Sequence, residues 1–204
     1  MKDLWYGDKR DLVKWATLVS LAQEFNSKHV LQVLYYQSTV WGKVEIDKKQ
    51  VEIPGSVIQH FRDVRQIQNL SFGVTVETLA EPFDDRFEYL QKTLAVIRGR
   101  KDCRGIVFLD PDTGLEPTSG RYDHTHVCAK ELSEIWKALN PRDLLVFYQH
   151  EDNRRNEEWK NRKRLQFASA LADQGVSETD VKIAHAPEIA RDVAFYFIQK
   201  RSAA

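Results

Sequence analysis

The sequence predicts an α/β three-layer sandwich, a mostly parallel central sheet covered by helices on both faces, with an antiparallel pair at its C-terminal edge. Three observations predict it. Short, continuously apolar runs alternate with longer segments of helical period, the pattern of strands buried on both faces. Two of those runs, Gly105 to Leu109 and Asp143 to Tyr148, end abruptly in polar clusters. The last two apolar runs are joined only by Ala186 to Arg191, too short a connection for a crossover helix.

Taken in order, Asp11 to Phe25 places Leu12, Trp15, Ala16, Val19 and Ala22, with Phe25 at the end, on one stripe, which predicts a helix docked by that stripe. Val30 to Tyr36 reads as a buried strand that contains one polar residue, Gln32. The looser alternation of Lys43 to Ile53 suggests a hairpin, closed by Pro54-Gly55, and Ser56 to Leu70 reads as a helix. Gly73 to Leu79 is strand-like, and Asp84-Asp85 places acidic residues at the start of a helix that runs to about Ile97. Strand Gly105 to Leu109, helix Lys130 to Leu139 stopped by Asn140-Pro141, and strand Asp143 to Tyr148 follow. A long helix from Arg154 to Ala172 precedes the final strands, Val181 to Ala186 and Val193 to Ile198.

The whole chain, 204 residues with 42% hydrophobic and 29% charged, reads as one globular domain, 1–204. No apolar run is long enough to span a bilayer, and the first residues lack the core of a signal peptide, so the expected location is cytoplasmic, with no membrane partner. Two cysteines make no disulfide framework. Thirty basic and thirty acidic residues cancel, which excludes a polybasic coat but not a local patch.

In open α/β sheets ligands bind beyond the carboxyl ends of the strands, so the two strand-end clusters carry the chemistry. In Asp110-Pro111-Asp112-Thr113-Gly114, two carboxylates sit where a buried strand meets the surface, and Asp110 and Asp112 are both candidates for catalysis. In Tyr148-Gln149-His150-Glu151-Asp152-Asn153-Arg154, His150 offers a general acid or base, Gln149 a donor and an acceptor, and Arg154 a phosphate contact at a helix start. Asp8, Asp11 and Lys14 share one helical edge, with Lys9 beside them. His124, His126 and Cys128 would share one face of a strand, a weak metal pattern. Arg154 to Arg164 holds six basic residues (Arg154, Arg155, Lys160, Arg162, Lys163, Arg164) against two acidic ones, a surface suited to phosphates. No P-loop, dinucleotide fingerprint or nucleophile elbow occurs.

Three segments, Tyr6-Gly7-Asp8…Asp11…Lys14, Phe108-Leu109-Asp110-Pro111-Asp112-Thr113-Gly114-Leu115-Glu116 and Tyr148-Gln149-His150…Arg154, resemble a family of small bacterial and phage proteins with G-D-x-x-D-x-x-K, D-P-D-[NT]-G-[LI]-E and Y-Q-H-x-x-x-R motifs. The chain is further similar to phage-defence DNA glycosylases that remove glucosylated hydroxymethylcytosine, and Asp110-Pro111-x-x-Gly114 resembles the D-P-Y-H-G turn of uracil-DNA glycosylases.

That resemblance implies a hydrolase acting on double-stranded phage DNA, with no cofactor and no metal. Asp110 or Asp112 would stabilise an oxocarbenium-like state and orient water. His150 and Gln149 would assist the departing base, and Tyr148 or Trp41 would stack on a flipped nucleotide. Asp8, Lys9 and Lys14 would line the substrate pocket, while Arg154, Arg155, Lys160, Arg162 and Lys163 would hold the DNA backbone. One alternative is an Mg²⁺-dependent nuclease using Asp110, Asp112 and Glu116 or Asp8. Another is a nucleic-acid-binding module without catalysis. A strand ending in Asp-Pro also resembles the D-P-P-Y motifs of methyltransferases, but no glycine-rich loop follows Val30 to Tyr36 to seat a cofactor.

Overall fold

A computed structural model describes residues 6–37, 42–70, 72–100, 104–118, 123–151 and 158–202. The elements are α1 (Lys9–Glu24), β1 (His29–Val33), β2 (Lys43–Ile46), β3 (Lys49–Glu52), α2 (Gly55–Arg62), a 3-10 turn (Val64–Asn69), β4 (Thr75–Leu79), α3 (Arg86–Gly99), β5 (Ile106–Leu109), β6 (Gly114–Leu115), β7 (His126–Val127), α4 (Ala129–Ala138), β8 (Leu144–His150), α5 (Trp159–Ala170), β9 (Lys182–Ala184), α6 (Pro187–Ala190) and β10 (Val193–Gln199).

Six strands form the central sheet in the order β4-β1-β5-β8-β10-β9. The first four are parallel, with Val30 opposite Val76 and Ile106, and Ile106 opposite Leu144. β10 runs antiparallel to both β8 and β9. The fold is therefore the predicted α/β sandwich with an antiparallel edge. Period-2 side chains divide its core into two sheets of contacts. Leu31, Val107, Leu145 and Tyr196 face α3, α4 and α5, meeting Ile97, Ile135 and Phe167. Val30, Phe108, Val146 and Phe195 face Val13, Leu18 and Leu21 of α1 and Ala190 of α6.

The lower end of the sheet is held by Asp143, fully buried just before β8. Its carboxylate accepts from the backbone N–H of Gly105 and Asn140 and from the Arg100 guanidinium, at 2.8, 2.9 and 2.5 Å.

Two expectations are corrected. The apolar stripe of α1 docks only in part: Ala22 is buried and Trp15 and Phe25 pack at the core's edge, but Leu12 is 69% exposed, and the buried face is Asp11, Val13, Lys14, Leu18, Leu21 and Ala22. The helix is rotated because Asp11 and Lys14 are satisfied by an ion pair under it and need no solvent. Leu18→Ala is accordingly expected to cost about 2–5 kcal/mol and Leu12→Ala within about 0.5 kcal/mol, read from urea unfolding midpoints. The helix expected over Ser56 to Leu70 is broken at Asp63, whose extended backbone (φ −86°, ψ 100°) ends α2 and whose carboxylate caps the following turn at the Arg65 N–H. The helix expected from Arg154 is described only from Trp159, since residues 152–157 lie outside the described ones. Among the described residues no helix is long and apolar enough to cross a membrane.

Candidate active site at the carboxyl ends of β5 and β8

The strand order reverses at β1, with β4 on one side and β5 on the other, and the carboxyl ends of the parallel strands at such a switch point are where α/β sheets bind ligands. A cleft of about 350 Å³ opens beside this point, lined by α1, the turn after β5 and the end of β8.

Its floor is built from buried charge. Asp8 caps α1, accepting from the backbone N–H of Arg10 and Asp11 at 2.7 and 3.1 Å, and so fixes the first turn. One turn on, the Lys14 ammonium donates to Asp11 at 2.7 Å and to Asp110 at 2.9 Å, and all three residues are buried. Asp110 directly follows β5, and its backbone N–H extends the ladder to the Val33 carbonyl at 2.9 Å. Its Oδ2 accepts from Lys14 and, at 2.8 Å, from Gln32 of β1. Both bonds use one oxygen, and the residue lines the cleft.

Burial pushes the Asp110 carboxyl above its ordinary value, against the pull of Lys14. Burial also opposes the charge on Lys14, but Asp110 and then Asp11 outweigh it and hold the ammonium firmly protonated. Tyr148 lies beneath, with Lys14 Nζ 5.4 Å from its ring centroid, and burial keeps its phenol protonated.

The rim carries a second ion cluster. Asp192, before β10, accepts from Arg10 and lies 3.2 Å from His150 Nε2, while His150 Nδ1 is 3.0 Å from the Glu151 carbonyl. Both ring nitrogens thus face acceptor oxygens. Burial alone would raise the Asp192 carboxyl, but the hydrogen bond and charge of Arg10 bring it below the ordinary range.

The structure brings Asp8, Lys14, Asp110, Asp112, Tyr148 and His150 to one cleft. Lys9 is exposed and lies away from it, which corrects its placement in the pocket. Tyr148 is only 6% exposed and packs on Phe195 at 5.8 Å, so its face is not open to stack on a base. Gln149 is also corrected: its amide accepts from the Leu115 N–H at 2.9 Å and donates to the carbonyls of Thr113 and His150, at 3.3 and 2.8 Å. That amide holds the Asp-Pro-Asp-Thr-Gly turn, and Gly114 (φ 132°) is required there because a Cβ would collide with it. Lys163 is buried and donates to the carbonyls of Leu115 and Glu116 and to Gln166, so it supports the same turn instead of facing a phosphate. Lys160 and Arg162 are half-buried on α5, with Lys160 Nζ 5.7 Å from the Trp159 ring centroid. Arg154, Arg155 and Trp41 lie outside the described residues.

The metal readings are corrected as well. Glu116 caps α4 at the Ala129 N–H, 2.9 Å away, and Asp8 caps α1, so neither joins Asp110 and Asp112 as a ligand set. Among the described residues no group of three His, Cys, Asp or Glu is arranged to hold a metal; His126 is instead 3.0 Å from Asp123, and Cys128 opens α4.

Sequence reasoning missed Arg10, Gln32 and Asp192. Gln32 had a signal, a lone amide within an apolar strand, whereas Asp192 had none.

No family model matches the chain, and no curated protein does. Among solved structures it is similar to a protein described as a methyltransferase from Thermobifida fusca YX, at 9% identity over 95% of this chain and 81% of that one, with a TM-score of 0.46. It is also similar to an O-methyltransferase family protein from Burkholderia thailandensis, at 10% identity over 96% and 59%, TM-score 0.42. The N-methyltransferase NodS from Bradyrhizobium japonicum WM9 gives 10% identity over 95% and 96%, TM-score 0.35. At these identities the likeness is one of fold. The expectation of a DNA glycosylase, and of a hydrolase, is corrected by these comparisons, which return methyltransferases. The geometry disagrees with it too, since Gln149, Tyr148 and Lys163 are committed to structure.

Methyltransferases of this kind use S-adenosylmethionine, and the residues here do not fit it. Where a nucleotide-type cofactor would seat on a glycine-rich turn after the first strand, this chain has Leu34 and Tyr35, both buried. Tyr35, at φ 46°, stacks edge-on against Phe83 at 5.2 Å and lies 5.3 Å from Tyr89, filling that space with aromatic core. No step is assigned to that cofactor.

Proposed function

We propose that the chain is an acid–base enzyme, a transferase that activates an amino group of its acceptor substrate in the cleft above Asp110. The observation that carries this reading is the buried Asp11–Lys14–Asp110 cluster at the floor of an open cleft beside the switch point. Buried charges are costly to maintain, and a carboxyl raised by burial at the wall of a cleft is placed to accept a proton. Asp8, Asp11, Asp110 and Asp112 line the cleft together with Arg10, Lys14 and His150, so acidic and basic groups face one space.

In this reading an ammonium enters the cleft and its proton passes to the Asp110 carboxylate. The freed lone pair then bonds to the group being transferred as that group's bond to its donor breaks, and the remainder of the donor leaves with the electron pair. Lys14 and Gln32 hold Oδ2 throughout, fixing the carboxylate's orientation, and the Tyr148 hydroxyl stays available as a donor.

Incubation with a metabolite extract, followed by mass spectrometry, tests the reading. It expects mass changes confined to amine-bearing compounds, with rates at least about a hundredfold lower in Asp110→Asn. The rate should rise with pH as Asp110, titrating above its ordinary 3.8, loses its proton. Equal turnover by the two proteins would remove Asp110 from the chemistry.

A further inference from the structure

Gln32 is only 2% exposed, and the two arms of its amide are treated differently. Nε2 donates to Asp110 Oδ2 at 2.8 Å, whereas Oε1 is buried with no hydrogen-bond partner. Thr78 of β4 is the register partner of Gln32, and its Oγ1 is likewise buried with no partner. Val30 and Val76, the register pair two residues earlier, both pack beneath α1, so Gln32 and Thr78 project from that same face. β1 lies between β5 and β4, which sets the carboxylate on one side of Gln32 and the hydroxyl on the other.

Gln149 shows what a committed amide looks like. Its Oε1 accepts from the Leu115 N–H and its Nε2 donates to two backbone carbonyls, so its arms cannot exchange places without losing those bonds. The far arm of Gln32 has no such anchor, and the Asp110 carboxyl alone decides which arm faces it. An ionised carboxylate only accepts and therefore takes the nitrogen, but a protonated carboxyl also donates and is suited by the oxygen. The Thr78 hydroxyl donates as well as accepts, so it serves whichever arm is turned towards it.

We infer that the Gln32 amide is a positioning group that reverses with the Asp110 proton, offering its nitrogen to the carboxylate and its oxygen to the acid. The inference deepens the reading of Asp110 as the base and rests on it. When the substrate's ammonium gives up its proton, the O–H formed on Asp110 Oδ2 donates to Gln32 Oε1, and Nε2 turns to the Thr78 hydroxyl. Lys14 keeps its contact with Oδ2. Asp110 thus has a hydrogen-bond partner in both of its states, which eases the uptake and the release of the proton. The charged and titratable groups facing Asp110 are Lys14 and Asp11 of α1, Tyr148 of β8 and Tyr89 of α3. Burial keeps both phenols protonated, and the two carboxylates hold the charge on Lys14. Among the described residues only Asp110 bonds the Gln32 side chain.

Side-chain amide NMR of the intact protein across a pH series tests the inference, alongside the ¹³C titration of Asp110. Gln32→Met identifies the Gln32 amide signals by their loss. Cross-relaxation peaks from the Nε2 protons to the Thr78 methyl should appear below the Asp110 midpoint and fade above it, while the Gln149 amide peaks stay unchanged. In Lys14→Met the change should move to higher pH together with the midpoint. If the Gln32 amide keeps one orientation while Asp110 titrates above 3.8, the proton sits on the other carboxyl oxygen; the reversal is then wrong and the reading of Asp110 stands. A change that follows some pH other than the Asp110 midpoint overturns the inference equally. A midpoint at or below 3.8 removes the reading of Asp110 itself, and the inference with it.

Discussion

Lys14→Met is expected to destabilise the protein by about 3–5 kcal/mol at neutral pH, because it leaves two buried carboxylates facing an apolar thioether. The methionine fills much the same volume, so the loss is electrostatic and not a cavity. Its pH dependence separates the two. In the wild type, burial disfavours the Lys14 charge but Asp110 and Asp11 more than compensate, so the folded protein binds that proton more tightly than the unfolded chain. This contribution is fully present below the ordinary lysine value of 10.5 and is lost as pH rises through the higher folded value. Asp110 is raised too, by burial, so its protonation favours the folded state at acid pH and that contribution fades as pH rises through its folded value. Without Lys14 nothing offsets the burial, and the carboxyl climbs further. The deficit of Lys14→Met should therefore shrink as the pH falls and Asp110 becomes protonated and neutral. Urea unfolding across that range checks it, and a pH-independent deficit would point to packing.

Asp143→Ala should produce a loss of similar size, about 3–5 kcal/mol, from the opposite end of the sheet. It strips the buried Arg100 guanidinium of its carboxylate, and Arg100 already has Nε and Nη1 buried without a partner. It also orphans the N–H groups of Gly105 and Asn140. Each unsatisfied buried donor costs about 1–3 kcal/mol. The effect belongs to the fold and not to the cleft: amine binding by the protein that remains folded should be unchanged. Denaturant unfolding and calorimetry on the same variant test both halves. Loss of amine binding in a folded Asp143→Ala protein would mean that the two ends of the sheet are coupled.

The central strands were legible because burial on both faces leaves a continuous apolar run. β5 lies within the segment read as a strand, β1 overlaps its segment but begins one residue earlier and ends at Val33, β8 runs two residues further to His150, and the short link before β10 marked the antiparallel edge. The strand-end position of Asp110 and His150 placed the cleft for the same reason. α1 was misread because periodicity counts apolar residues and is blind to a paired charge. Its most regular apolar face, Leu12-Trp15-Ala16-Val19, borders an apolar groove, whereas the face on the sheet includes Asp11 and Lys14. The roles of Gln149 and Lys163 were hidden by chemistry of another kind. An amide or ammonium suited to a ligand is equally suited to a neighbouring carbonyl, and only the path of the turn after β5 shows that the carbonyls of Thr113, Leu115 and Glu116 lie within reach. Asp192 comes to His150 through the pairing of β8 with β10, a long-range contact that no local spacing reveals.

The most direct test of the acid–base centre is the titration of the Asp110 side-chain carboxyl by ¹³C NMR, assigned by its absence in Asp110→Asn. The account predicts a midpoint above 3.8, and a further upward move in Lys14→Met. A midpoint at or below 3.8 in the wild type, or one that Lys14→Met leaves in place, would contradict it.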